Sequence, residues 1–185
     1  TVLNSASEED DYYLEYKAYD SVKGKGYYQE TVARNVSPGL NASTMPYQLE
    51  NTGATSFSFN PISWTARLAG DDKSSPIPSF IGHPINATFF YSDRLGVLSQ
   101  DNVFLGVAND AFNFFPKSAL VQVDSDPIDL NVSSIRPVTL TDVLPSPQGL
   151  LMFSARQQFQ LYAASSVTLT PRTSVIRSLA NYEMS

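Results

Sequence analysis

Between Phe89 and Phe115 the chain reads FFYSDRLGVLSQDNVFLGVANDAFNFF. The stretch is dense in Phe, Tyr, Val and Leu. Polar turns still cut it at Ser99-Gln100-Asp101-Asn102 and again at Ala108-Asn109-Asp110. Short apolar runs bounded by Asn, Asp and Ser read as consecutive antiparallel strands. The same pattern predicts strands near 89–98, 103–107, 112–115, 119–123, 128–132, 138–143, 150–154, 158–163 and 167–169. Few segments carry helical periodicity, so the expected fold class is all-β, built from short antiparallel strands. A repeat also runs through this region. Leu95-Gly96-Val97-Leu98-Ser99 aligns with Leu150-Leu151-Met152-Phe153-Ser154, and a polar turn and a further apolar strand follow both copies. Repeated groups of short strands suit propeller-like blades, and a two-sheet sandwich fits the strand count as well.

The N-terminal part is organised differently. Tyr12, Leu14, Tyr16 and Ala18 alternate with Tyr13, Glu15, Lys17 and Tyr19, a period of two that predicts a half-buried strand. After the turn Ser21–Gly26, residues 27–33 form a return strand, giving an N-terminal β-hairpin with a basic tip at Lys23 and Lys25. Residues 56–60 read as a short strand, and 64–68 as a strand or one helical turn. Gly70-Asp71-Asp72-Lys73-Ser74-Ser75-Pro76-Ile77-Pro78 is punctuated by Gly and Pro and crossed by no periodic pattern, so it reads as a linker. The expected organisation is a hairpin-containing β region over 1–75 and a β-rich region with the strand repeats over 76–185.

Composition removes several function classes. No cysteine is present, which excludes disulfides and thiol catalysis and suits assembly in a reducing cytosol. His83 is the single histidine, so a multi-histidine zinc site is not expected. No apolar run approaches the ~20 residues of a membrane-spanning helix, and the polar, acidic start TVLNSASEEDD is not a signal peptide. The lack of an initiator Met suggests a processed chain or a portion of a longer one. A net charge of −6 argues against a protein that grips DNA phosphates, so affinity for duplex DNA is expected to be weak.

Candidate sites are few. Asp124, Asp126 and Asp129 form a D-x-D-x-x-D run that could offer hard oxygen ligands to calcium or magnesium. The sixth and twelfth positions of an EF-hand loop would be Asp129 and Ile135, so that motif fails. Alternatively these aspartates accept backbone N–H groups in a turn. Lys23 and Lys25 could touch DNA or simply keep a loop soluble. Glu8, Glu9, Asp10 and Asp11 crowd the terminus, while Glu15 and Glu30 read as partners of Lys17 or a neighbour and not as a glycosidase pair. Gly24-Lys25-Gly26 lacks P-loop spacing. Sequons at Asn35, Asn41, Asn86 and Asn131 read as chance. The 11 Phe and 10 Tyr are not interleaved with basic residues as single-strand stacking platforms are. Core packing or burial against another subunit suits them better.

Several segments, in order, resemble one family. Asp11-Tyr12-Tyr13-Leu14-Glu15-Tyr16, Tyr28-Gln29-Glu30-Thr31-Val32 and Leu40-Asn41-Ala42-Ser43-Thr44-Met45-Pro46 come first. Trp64, Arg67 and Gly70-Asp71-Asp72 follow, then Pro78-Ser79-Phe80-Ile81-Gly82, Arg94-Leu95-Gly96, Asp124-Ser125-Asp126-Pro127-Ile128-Asp129, and Phe153-Ser154 through Leu169-Thr170-Pro171. Together they resemble the tail tubular (nozzle) proteins of short-tailed bacteriophages, over about residues 10 to 175. Such proteins are much longer, so the resemblance implies a central portion. It also implies a structural virion protein and not an enzyme, with no cofactor. Assembled in the bacterial cytoplasm, it would form a sixfold ring around a DNA ejection channel. An adaptor protein and tail fibres would be partners, with double-stranded DNA passing through and no stable membrane insertion. Acidity would then deny passing DNA a sticky stop. A glycan- or cell-surface-binding module of a phage tail, or a tail-associated polysaccharide hydrolase, are the alternative readings.

Overall fold

The structure, a computed structural model, describes residues 2–3, 12–21, 24–164 and 168–181. Glu8 to Asp11, Lys23 and Val167 therefore lie outside the described residues. Regular structure is almost entirely antiparallel β, with single turns of 3-10 helix at Tyr19–Ser21 and Ala42–Thr44. The chain divides into two compact units, Thr1–Pro76 with Pro116–Leu120, and Ile77–Phe115 with Val121–Ser185.

In the first unit, β1 (Val2–Leu3), β2 (Tyr12–Ala18) and β3 (Gly26–Thr31) form one sheet in that order. The β2–β3 pair is the expected N-terminal hairpin. Its register places Tyr16 opposite Tyr28 and Lys17 opposite Tyr27. Gly26 has a steric role, because a Cβ there would lie 2.5 Å from the Tyr16 ring. A second ribbon pairs β4 (Tyr47–Gly53) with β5 (Ser56–Pro61). The sequence reading captured β5 but not β4, whose Gln, Glu, Asn and Gly are poor strand formers. Residues 62–68 are in no regular element, so the strand or helical turn expected at 64–68 is not formed. The Arg67 amide bonds Pro38 O instead of a ladder partner.

The second unit holds two four-stranded meanders. The first is β6 (Ala87–Tyr91), β7 (Arg94–Ser99), β8 (Asn102–Leu105) and β9 (Ile128–Asn131); the second is β10 (Leu140–Ser146), β11 (Gly149–Ser154), β12 (Gln157–Ala163) and β13 (Ser174–Asn181). Leu98, Val103, Leu105 and Ile128 of the first pack with Leu140, Leu150, Met152, Phe159 and Leu161 of the second in one core. No closed propeller is formed among the described residues. The 55-residue repeat falls on β7 and β11, the second strand of each meander.

Four expected strands are corrected here. Residues 89–98 are not one strand but two, broken by Ser92 and Asp93 at φ of 52° and 59°. Two consecutive residues in the left-handed region make the tight turn that matches hairpin twist. Segments 112–115 and 119–123 are not strands. Phe114 instead packs edge-on against Phe104 and Phe80, with centroids 5.0 and 5.8 Å apart. Its segment thus covers the outer face of the first meander rather than joining it. Of the strand expected at 167–169, Thr168 and Leu169 are not in a strand.

Candidate assembly surfaces and the aspartate turn

The three aspartates do not converge. Asp124 has an exposed side chain and contributes its main-chain oxygen. Asp126 is buried and accepts the Val123 amide on Oδ2 at 2.8 Å. Asp129, on β9, accepts Asn102 Nδ2 on Oδ1 at 2.6 Å and the Ser79 amide on Oδ2 at 2.9 Å. Each carboxylate that bonds closes its own turn or strand contact. Among the described residues no group of three His, Cys, Asp or Glu side chains is placed to hold a metal.

What organises this turn is Arg94, whose place in the Arg-Leu-Gly motif does not itself announce the role. It is 1% exposed. Its guanidinium donates to Gly106 O at 2.7 Å, Asp126 O at 2.6 Å, Ser125 O at 3.1 Å and Asp124 O at 2.6 Å. The five-donor fork suits this, since one planar group satisfies carbonyls that have no ladder partner. Burial pulls the Arg94 pKa below its ordinary value, and the neighbouring Asp126 charge opposes that pull. The rest of the Arg-Leu-Gly motif is equally physical. A Cβ on Gly96 would lie 2.3 Å from the Phe89 ring, its cross-strand partner. The glycine lets that ring lie flat on the strand.

A second junction lies in the first unit, in the segment read as a linker. Gly70 sits at φ 80°, pairs with Val32 in a parallel bridge and exchanges backbone bonds with Ala33 and Thr31. Asp71 receives the Ser74 and Lys73 amides on Oδ1, both at 2.9 Å, and the Tyr13 hydroxyl on Oδ2 at 2.9 Å. Asp72 pairs with buried Arg67 at 2.9 Å. The segment is therefore a hydrogen-bonded clasp on the base of the β2–β3 hairpin.

Burial alone would raise the Asp71 pKa. The Ser74 and Lys73 amides, then the Tyr13 and Ser74 hydroxyls, outweigh it and hold the carboxyl below its ordinary value. A depressed folded-state pKa stabilises above the unfolded-state value and loses that contribution as pH falls through the folded value. The melting temperature of Asp71→Asn should therefore lie below wild type by a constant amount above about pH 5, and the gap should close below about pH 4. A gap independent of pH would refute the assignment.

The remaining candidates are surface groups. Lys25 is exposed, and its main-chain oxygen accepts the Tyr19 amide. Glu15 pairs with Lys17 at 2.7 Å along β2, not across the hairpin, while Glu30 accepts Ser118 Oγ at 3.1 Å. His83 lies in an exposed turn with its amide on Phe80 O. Two tyrosine pairs decorate the β2–β3 hairpin: Tyr16–Tyr28 and Tyr19–Tyr27, each with centroids 5.6 Å apart. All four are exposed. The outer face of the second meander leaves Leu144, Val175 and Leu179 open; on the outer face of the first, Phe80 and Phe114 cover Phe104, while Phe90 stays open. No helix among the described residues is long and apolar enough to cross a membrane.

The family described as bacteriophage nozzle protein matches residues 1–185. The chain is 35% identical over 167 residues to the tail tubular protein gp12 of Escherichia phage T7, an alignment covering 90% of this chain and 20% of that protein. The chain thus spans about a fifth of the length of the curated relative it matches.

Proposed function

Since the chain belongs to the bacteriophage nozzle protein family, we propose that it forms part of the wall of a phage tail tube. The observation that carries this reading is the family match along the whole chain, joined to 35% identity with a tail tubular protein. The role is structural and not catalytic. Copies stand in a sixfold ring around the DNA ejection channel of the virion, next to the adaptor and the fibres. No cofactor or cation is required: Asp126 and Asp129 already use carboxylate oxygens on Val123, Asn102 and Ser79.

The two meanders are proposed as successive blades of a propeller. Their identical up-and-down strand order supports this, as does the 55-residue offset that carries Val97 onto Met152. In a propeller the same face of each blade meets the preceding one. Val97 lies on the covered outer face of the first meander, and Met152 faces the shared core. The open face with Leu144, Val175 and Leu179 is where a third sheet would pack. Residues 1–75 and 76–185 are proposed to act as separate regions; the break between the compact units after Pro76 supports this, although Pro116–Leu120 packs with the first unit. DNA is a passenger. With 18 acidic against 12 basic residues the chain repels phosphates more than it holds them. Lys23 and Lys25, in the sequence between β2 and β3, are proposed to guide a duplex.

Cryo-electron microscopy of intact tails tests the reading. Density for this chain is expected in a sixfold ring lining the channel. Density on a peripheral fibre of threefold symmetry would move the chain to receptor binding.

A further inference from the structure

The β4–β5 ribbon is amphipathic in a way its own unit does not use. Its register sets Leu49 against Phe59, Asn51 against Phe57 and Tyr47 against Pro61. Tyr47, Leu49, Phe57 and Phe59 therefore share one face, and Gln48, Glu50, Ser58 and Asn60 share the other. Alternation of this kind belongs to strands with one buried face. Yet the four apolar side chains are 45%, 66%, 64% and 67% exposed. The roots of the ribbon are anchored, with Met45 and Ile62 buried on either side of it. From those roots a seven-residue strand reaches about 23 Å. A two-stranded ribbon alone is marginally stable in water, so a face like this needs a cover.

We propose that the Tyr47–Pro61 ribbon is an assembly arm whose apolar face packs on a second copy of the protein. The inference rests on the tube-wall reading above. Charge narrows the choice of occupant. No Lys or Arg occurs from Tyr47 to Pro61, and Glu50 is the one charged residue, so DNA and anionic lipid have nothing to bind. Tyr47 and Phe59 stack on each other at 5.1 Å and 23°, which takes up ring faces that a sugar would need. Gln48, Glu50, Ser58 and Asn60 lie on the opposite face, and Asn51, on the apolar one, already accepts the Gly53 amide on Oδ1. A protein surface remains. These 185 residues carry −6 in each copy, so like-charged surfaces approach most easily through an uncharged patch.

The area agrees. Four side chains of this size and exposure offer roughly 450 Å². That is as large as the largest apolar patch on a typical monomer, and about half of the ~800 Å² each partner contributes to a stable interface. An arm laid on a different surface of the next copy is a heterologous contact, the kind that closes into rings.

The test is sedimentation velocity on the full-length tail protein, as wild type and with Leu49→Asp and Phe59→Asp, singly and together. Each substitution should weaken ring assembly about tenfold or more and leave circular dichroism and the melting temperature unchanged. Glu50→Gln, on the polar face, should assemble as wild type does. Hydrogen exchange across 47–61 in the wild type should slow when the ring forms, a reading that needs no variant. If the variants assemble normally, or that exchange is indifferent to assembly, the arm is refuted while the tube-wall reading stands. Variants that assemble normally but melt early would place the arm against its own polypeptide, which also refutes the inference. A wild type that never self-associates would overturn both readings.

Discussion

Arg94→Met should destabilise the chain by about 3–5 kcal/mol, a large share of the ~5–15 kcal/mol that holds a typical domain together. Met keeps most of the volume and the aliphatic stem, so the loss isolates the guanidinium. The carbonyls of Gly106, Asp124 and Asp126 would lose this donor, whereas Ser125 O keeps the Ala108 amide. A buried acceptor without a partner costs about 1–3 kcal/mol. Gly106 O and Asp126 O are the buried pair and dominate the sum; Asp124 O is nearer solvent and recovers some hydration. Arg94→Lys should fall between the two, because an ammonium offers three donors from one point and cannot span the fork. Urea unfolding with an unchanged m-value measures both. A loss under about 1 kcal/mol for Met would mean that residues 106–126 hold their path without Arg94.

The same residue shows where sequence reading stops. An arginine at the start of an apolar strand reads as a boundary, because strand pattern says nothing about carbonyls thirty residues away. The Asp-rich turn was legible as a turn, but its centre was sought in the carboxylates. The main-chain oxygens of Asp124 and Asp126 matter more to Arg94 than their charges. The all-β class was legible for a sturdier reason. Period-two alternation and Asn, Asp and Ser punctuation are local, and they correctly marked the β2–β3 hairpin, the Gln100-Asp101 turn and β11–β12.

Errors came where tertiary packing overrode local pattern. Residues 112–115 look like a strand, but Phe114 packs edge-on over Phe104 and Phe80 instead. The Ser92-Asp93 break was hidden because non-glycine residues at positive φ leave no mark in composition. β13 was missed for the opposite reason. It is an edge strand, and Ser174, Arg177, Ser178 and Asn181 dilute its apolar pattern. Polar dilution is what blunts an exposed edge against unwanted pairing. The open β4–β5 face was not foreseen, since Phe57 and Phe59 alone read as an ordinary half-buried strand. Only their exposure separates core from contact surface.

That distinction supplies a second large effect. Phe159→Ala should cost about 3–5 kcal/mol, whereas Phe59→Ala should lie within about 0.5 kcal/mol of wild type in the unassembled chain. Both are phenylalanines on antiparallel strands, and both lose the same atoms. Phe159 is 1% exposed and lies between Met152 and Ser178 in register, with its ring in the core that joins the two meanders. Its removal leaves a cavity bounded by aliphatic side chains from both sheets, which cannot collapse onto the gap without shifting two backbones. Phe59 is already two-thirds in water, so truncation surrenders little burial. The pair should be compared by urea midpoints at a protein concentration too low for association. If Phe159→Ala costs no more than Phe59→Ala, the meanders do not share a core, and the blade reading goes with it. If Phe59→Ala is instead the costly one, the ribbon is covered within its own polypeptide.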